Sequence, residues 1–280
     1  MNEIETLNAV QILQQYNTHS MPFQVMCEDQ EIYVAKSIFL PEPPFGDLIN
    51  EILAVYFLEI FGVKTAKPCL IKISQEVFTS FIESGGECNS KYEKFNFEDK
   101  LFFGSLFIEN ATELESYSTN IKSKYDFNKF IDPLNLIKIG VFDSWFGNMD
   151  RRGSNPNILL LEFNGGKFDF LPIDHAHSFG YQSNYKNLNP HLMPIPPNKT
   201  ILQTPISKSI LTFVEDDTVS NLKDEILTSL EEASKNMDFI FDQVPKSFGF
   251  SKKGKQKVKK VLSDVDRNEL VSNLYLNYLK

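Results

Sequence analysis

The hydrophobic pattern splits the chain into a strand-like first third and a mostly helical remainder. Short apolar-rich runs at 10–16, 22–28 and 31–38 read as strands, broken by Asn17-Thr18-His19-Ser20 and Asp29-Gln30. The proline-rich stretch 41–44 reads as extended. Asp47 is placed to cap a helix reaching about residue 61, with Gly62 just beyond its end. Stretches 68–73, 77–82 and 101–108 read as three more strands, with 83–99 as loop. From about residue 110 helical spacing dominates, at 132–146, 220–237 and 263–279. One β-hairpin interrupts it: β-rich runs at 158–163 and 167–173 flank the turn Asn164-Gly165-Gly166. Stretch 183–205, rich in Pro and Asn, reads as loop. The fold class is α+β, with a β-rich first lobe (1–108) and a mostly helical second lobe (109–280) that carries the hairpin.

Composition narrows the function classes. A chain of 280 residues, 42% hydrophobic and 23% charged, is large enough for two lobes around a shared cleft. A net charge of −9 and a pI near 5.1 argue against a general attraction to nucleic acid or anionic membrane. The start MNEIETLNAV carries no apolar signal segment, and no apolar run approaches the roughly 18 residues of a membrane helix. Cys27, Cys69 and Cys88 form no C-x-x-C pair. These features fit a cytoplasmic protein with no membrane and no direct nucleic-acid partner.

The chemistry concentrates in Asn148-Met149-Asp150-Arg151-Arg152-Gly153-Ser154-Asn155-Pro156-Asn157, followed by the hairpin and then Pro172-Ile173-Asp174-His175. Phosphoryl transfer needs a carboxylate to orient the attacking hydroxyl and side chains to hold a metal ion on the phosphates. Asp150 is placed for the first task, Asn155 and Asp174 for the second, because a hairpin of two similar strands returns the chain to its starting end. The five-residue Asp–Asn spacing alone carries nothing, since Asp143 and Asn148 share it; an isolated Asp or Asn in such a loop is commonly a turn former. The ordered set of helix, loop, hairpin and second aspartate carries the signal. In the first lobe, Lys36 ends the apolar strand Ile32-Tyr33-Val34-Ala35. It is either a solubilising edge lysine or a phosphate ligand. Glu51 projects from a mostly apolar helix face and needs a cationic partner, for which Lys36 is the nearest upstream candidate.

Together these residues resemble the HipA-like kinases, bacterial Ser/Thr kinases known from toxin–antitoxin modules, and especially their compact branch. The matching pieces are YVAK at 33–36, NEILA at 50–54, FDSWFGNMDRRGSNPN at 142–157 and PIDHAHSFG at 172–180. The Asn-x-Asp-Arg wording also resembles the type II phosphatidylinositol 4-kinases. The resemblance implies a two-lobed, protein-kinase-like fold that uses ATP and Mg2+. It implies that Lys36 contacts the ATP phosphates, Glu51 anchors Lys36, Asp150 is the catalytic base, and Asn155 and Asp174 bind magnesium. It further implies a protein substrate and a possible antitoxin or regulatory partner. The phosphate loop between the first strands falls at Asn17-Thr18-His19-Ser20-Met21, so Thr18 and Ser20 are candidate nucleotide contacts and candidate phosphorylation sites. That loop has no glycine, and glycine is what lets a backbone approach phosphates freely.

Asn155 is preferred to Asn157 as the metal ligand. Asn155 keeps the five-residue spacing and precedes Pro156, whereas Asn157 shares a strand face with Leu159 and Leu161, expected to turn into the core. His175 and His177 are either a metal pair, which would make the protein a metal-dependent phosphohydrolase, or hydrogen-bonded scaffold. The seven lysines within 246–260 are either a docking patch or a solvated face. Trp145 reads as core, and 102–108 as the link between lobes where backbone groups meet adenine. Three readings stand: an active HipA-like kinase, a pseudokinase or nucleotide-binding regulatory module, and a phosphohydrolase.

Overall fold

Strands from the first third of the chain close on themselves. The computed structural model describes residues 2–279 except 19, 37–38, 40–41, 99, 115–120, 183–184 and 190. His19 of the expected phosphate loop, Pro41, and residues 38, 99 and 183 at expected element boundaries therefore lie outside the described residues. Strands β1 (Glu5–Gln15), β2 (Phe23–Cys27), β3 (Ile32–Lys36), β4 (Pro68–Lys72) and β5 (Phe102–Leu106) form a closed barrel in the order β1-β2-β3-β5-β4. The β1–β2 and β2–β3 pairings are antiparallel, and β4 closes on β1 in parallel. In β3, Tyr33 and Ala35 are buried while Ile32, Val34 and Lys36 on the alternate face are half-buried. β1 begins well before residue 10. Its register shifts between Ala9 and Gln11 and again between Ile12 and Gln14, so Leu7, Ala9 and Ile12 are buried while Val10 is exposed. Such irregularities erase the period-2 signal. Gly104 lets the barrel interior close, since a Cβ there would fall 2.4 Å from Ile71 Cδ1 and 2.6 Å from Cys69 Sγ.

The strand expected at 77–82 is instead helix α2 (Gln75–Glu83). Ser74 caps it, its hydroxyl accepting from Val77 N at 3.2 Å. Phe78 and Phe81, three residues apart, are its buried side chains and join the barrel core beside Phe23. The local β propensity of Val77, Thr79 and Ile82 yields to that packing. The 83–99 stretch contains a short 3-10 turn (Ser90–Lys94) and adds Tyr92 and Phe97 to the same aromatic core.

Helix α1 (Gly46–Ile60) starts at Phe45, not at an Asp47 cap. Phe45 N–H donates to Phe248 O at 2.9 Å, and Asp47 sits in the first turn, where a carboxylate complements the helix dipole. The end is as expected: Phe61 caps it and Gly62 follows at φ +69°.

In the remainder, the one-turn helix α3 (Lys124–Phe127) precedes α4 (Asn135–Phe146). The hairpin of β7 (Ile158–Phe163) and β8 (Lys167–Pro172) turns through Gly165 and Gly166, both at positive φ. A short strand not expected from the sequence, β6 (Ala111–Glu113), pairs with β7. After a kinked turn α5 (Ser178–Tyr181) come α6 (Pro205–Thr212), α7 (Asp216–Asp242), α8 (Lys252–Leu262) and α9 (Val265–Leu279). The lysine-rich stretch forms α8. It buries Val258, Val261 and Leu262, and it pairs Lys255 with Asp242 at 2.9 Å and Lys259 with Asp238 at 2.7 Å on α7. No helix among the described residues is long and apolar enough to cross a membrane.

The arrangement is α+β. A boundary near residue 108 would leave α1 with the barrel, yet its side chains join the helical core. Phe57 meets Trp145 edge-on at 5.2 Å between ring centroids, and Phe61 meets Phe142 at 5.7 Å. Phe57→Ala should therefore cost about 3–5 kcal/mol, the usual range for emptying a fully buried aromatic site, read as a lower urea midpoint. An unchanged midpoint would show that α1 is not held this way.

Candidate active site

Helix α1 is buried along most of its length, so its polar residues Asn50 and Glu51 have no route to water. Glu51 is 2% exposed, and each of its carboxylate oxygens has a partner. Oε1 lies 2.6 Å from Lys36 Nζ, and Oε2 accepts the His175 N–H at 3.1 Å. Strand alternation puts Lys36 on the same face as Val34, turned out of the barrel toward α1. Its ammonium also reaches Asp174 Oδ1 at 3.1 Å. The preceding residue, Asn50, repeats the pattern: its Nδ2 donates to Ala176 O at 2.6 Å, and its Oδ1 accepts from the Tyr185 hydroxyl at 2.5 Å. Two neighbouring α1 residues thus grip segment 174–176.

The electrostatics follow from this geometry. The Lys36 ammonium holds the Asp174 carboxyl well below its ordinary value, at about 2, so it is ionised throughout the physiological range. Burial works against the charge on Lys36, but Glu51 and Asp174 together hold its ammonium well above the usual range. Burial pushes the Glu51 carboxyl up, and Lys36 pulls it back.

The loop that carries Asp150 is positioned from the opposite side. Helix α4 ends at Gly147 (φ +74°), where a Cβ would approach Phe179 Cα to 3.1 Å. Gly147 O accepts from Gly180 N at 2.9 Å, bringing the loop against the turn after Asp174. Asp150 N–H bonds Asn148 Oδ1 at 3.2 Å. Asp150 Oδ2 accepts from Asn155 Nδ2 at 3.0 Å and from Asn157 Nδ2 at 3.3 Å. Asn155 sits in a tight turn closed by reciprocal backbone bonds to Arg152 at 3.0 and 2.9 Å.

The expected separation of the two asparagines does not hold. The core face of β7 carries Ile158 and Leu160, each 1% exposed, whereas Leu159 lines the cleft. Asn157, at φ +45°, turns its amide to Asp150 instead of bonding backbone groups. Four consecutive apolar residues leave the orientation of a strand open, and here the opposite face is the core.

Arg151 is the residue the sequence reading missed. It is fully buried and forms an ion pair with the equally buried Asp143 of α4. Its other nitrogens donate to Asn157 O at 3.4 Å and Ile173 O at 2.8 Å, the backbone just before β7 and just after β8. Nη2 also faces His175 Nδ1 at 3.2 Å. An arginine can only donate, so His175 accepts there and carries its proton on Nε2. Burial and Arg151 together hold this imidazole well below its usual value. His175 is thus hydrogen-bonded scaffold. Among the described residues no three His, Cys, Asp or Glu side chains gather as a metal cluster. The only available signal for Arg151 was an arginine beside Asp150 and a carboxylate on an otherwise apolar helix.

The β1–β2 turn is closed by Tyr16 N to Pro22 O at 2.9 Å and Met21 N to Thr18 O at 3.1 Å. Phe23 pairs with Ala35, which places this turn at the Lys36 end of the barrel. Thr18 and Ser20 do not line the neighbouring cavity. That cavity, of about 170 Å3, is walled by Val34, Lys36 and Glu51 on one side, by Leu159, Leu171 and Asp174 on the other, and by 105–108 at the link.

A profile of the HipA-like kinases matches residues 9–272. The chain belongs to the HipA-like kinase family. Among solved structures, this HipA-like kinase is similar to the Helicobacter pylori proinflammatory kinase CtkA, at 15% identity and a TM-score of 0.55, over 99% of this chain and 98% of that one. It also matches the Golgi casein kinase at 13% identity and a TM-score of 0.44, over 99% of this chain and 74% of that one. At such identities the CtkA likeness concerns the fold. No curated protein matches the sequence.

The Arg151 network yields a stability test. Arg151→Met strands the Asp143 carboxylate in the core and should cost about 3–5 kcal/mol in urea unfolding. Asp143→Leu combined with Arg151→Met should recover part of that loss. A single-variant loss below about 0.5 kcal/mol, as for an exposed residue, would show that the pair carries no such load.

Proposed function

We propose that this HipA-like kinase transfers the γ-phosphoryl group of ATP to a serine or threonine hydroxyl of a protein, with Mg2+ as cofactor. The observation that carries this is the convergence of two charged sets: Lys36 with Glu51 and Asp174 at the cavity, and Asp150 with its two asparagines.

Lys36, held by Glu51, is placed to meet the α- and β-phosphates. Adenine fits among the apolar residues at the barrel mouth, with the link at 105–108 beside it. The N–H groups of Leu106 and Phe107 are already taken by Lys67 O and Ile32 O, so an N–H donor from the link falls to Ile108 and beyond. The donor set suits a hard cation. Asp174 is kept ionised by Lys36. The Asn155 amide gives its Nδ2 to Asp150, which leaves its carbonyl oxygen as a ligand. Bound there, the cation neutralises phosphate charge. Asp150 has Oδ2 fixed by the two amides, and Oδ1 is the atom that orients and receives the acceptor's proton.

A pseudokinase reading is favoured by one feature. The glycine-free turn is pinned where the buried Tyr92 hydroxyl donates to Met21 O at 3.0 Å, with Met21 itself at φ +46°. Such a turn adapts less freely to phosphates.

Calorimetry should show ATP binding that strengthens with Mg2+. Asp150→Asn should leave that binding intact while lowering transfer by about 10²–10⁴-fold. Binding without transfer in the parent protein supports the pseudokinase; no binding at millimolar ATP refutes both readings.

The choice between the two asparagines is open to titration. Asn155→Ala should raise the Mg2+ concentration needed for half-maximal transfer, and Asn157→Ala should lower kcat with less change in that requirement. The reverse result would reassign the ligand to Asn157.

A further inference from the structure

A second groove, of about 530 Å3, shares no lining residue with the Lys36 cavity. Its volume lies in the range of genuine binding clefts, roughly 300–1,000 Å3. One wall is the catalytic loop itself, Met149 and 152–154, so Asp150 lies in the chain between residues that line it. The other wall is Ile195 and the stretch from Asn198 to Pro205.

That second wall is preformed. Ser144 on α4 grips Ile195 twice: its carbonyl accepts from Ile195 N at 3.2 Å, and its hydroxyl donates to Ile195 O at 2.5 Å. The buried Thr200 and Thr204 hydroxyls close the turns that follow, donating to Pro197 O and Ile201 O at 2.9 and 2.7 Å. Arg267 on α9 holds Leu192 O at 2.8 Å just upstream. A wall fixed from three sides can receive a chain without first being ordered.

The charge of the groove runs against that of the molecule. The chain carries a net −9, yet among the described residues no Asp or Glu lines this groove. Its two charged lining residues, Arg152 and Lys199, are exposed, and neither has an ion-pair partner among the described residues. Met149 on the loop wall is 40% exposed, which adds an apolar contact beside the cationic rim.

The geometry points to this groove as the acceptor-docking site, occupied by an extended acidic peptide segment. Its hydroxyl-bearing residue lies over Asp150, and flanking carboxylates pair with Arg152 and Lys199. This rests on the kinase reading above and adds the substrate class. A basic segment would meet two unpaired cations, and a nucleic acid would carry a long run of phosphates beyond the groove against a molecule of net charge −9, where a short acidic segment would not. Unpaired cations at a rim act chiefly by choosing partners, attracting one sign of charge and penalising the other.

The test uses the full chain and three fluorescent peptides that share a Ser-centred core, flanked by Glu, Ala or Lys. Anisotropy reads docking, and labelled ATP reads transfer. The Glu peptide should bind about five- to tenfold more tightly than the Ala peptide, as expected for two exposed ion pairs, and the advantage should fade with added salt. Arg152→Glu combined with Lys199→Glu should reverse the order in favour of the Lys peptide, with thermal melting confirming that the variant is folded. Equal binding of all three peptides, or a swapped variant that still prefers the Glu peptide, overturns the inference. Acid-selective docking without transfer would keep the groove assignment and refute the kinase reading. Transfer without acid preference would do the opposite.

Discussion

A carboxylate with no route to solvent governs this architecture. Glu51 is buried on a helix that is itself enclosed, so its charge must be matched where it stands. One oxygen takes the ammonium of Lys36 from the barrel; the other takes the His175 amide from the segment after the hairpin. Three elements distant in sequence are therefore fixed relative to one another by a single side chain. Removing any partner leaves an uncompensated buried charge, which costs far more than an exposed pair would. On the proposed function the same constraint would serve chemistry: Lys36 is already pointed and charged, so phosphate binding would need no reorganisation there.

A second buried pair does for the Asp150 loop what Glu51 does for the cleft. Asp143 and Arg151 neutralise each other in the core, and the remaining donors of Arg151 tie together the two ends of the hairpin. His175 joins the two networks, giving its backbone N–H to Glu51 and accepting from Arg151 at Nδ1. That dual role requires a neutral ring, and burial next to a guanidinium keeps it neutral. The Lys36 end and the Asp150 end of the site are in this way parts of one connected polar structure.

What could be read beforehand was what departs from its local background. An inward carboxylate among Leu, Ile and Val predicts a cationic partner, and Glu51 found Lys36. The Asn164-Gly165-Gly166 turn predicts a hairpin, and the hairpin predicts that Asp174 returns beside the loop. What could not be read depended on packing between distant segments. The register of β1 slips after Ala9 and again after Ile12, so the alternation that buries Leu7 and Ala9 does not continue into the run from residue 10. Residues 77–82 are β-prone, and a cap at Ser74 together with the depth of Phe78 and Phe81 decided for helix. The face of β7 is ambiguous in a run of Ile and Leu, and that ambiguity carried over to Asn157. Arg151 looked like one more charged loop residue because its partners lie six to twenty-four positions away.

The backbone records what these networks hold in place. Left-handed conformations gather at the site: Asn157 at φ +45°, Asp174 at +58° and Phe179 at +52°, with Gly147 and Gly180 beside them. For a residue with a Cβ this region costs about 1–2 kcal/mol, less for Asn and Asp and more for a bulky ring. The cost has a geometric origin. A hairpin that delivers two polar side chains to one cleft must turn sharply where it begins and where it ends, and Asn157 and Asp174 are those two turns. Each is held by bonds a relaxed backbone would break. The carbonyl of Asn157 is shared by Arg151 and the Ile173 amide. Asp174 lies between Ile173, whose carbonyl Arg151 holds, and His175, whose amide Glu51 holds. The buried ion pairs therefore do more than neutralise charge: they hold open two turns that this chain would not adopt on local preference, and those turns are what aim the polar side chains at the cleft.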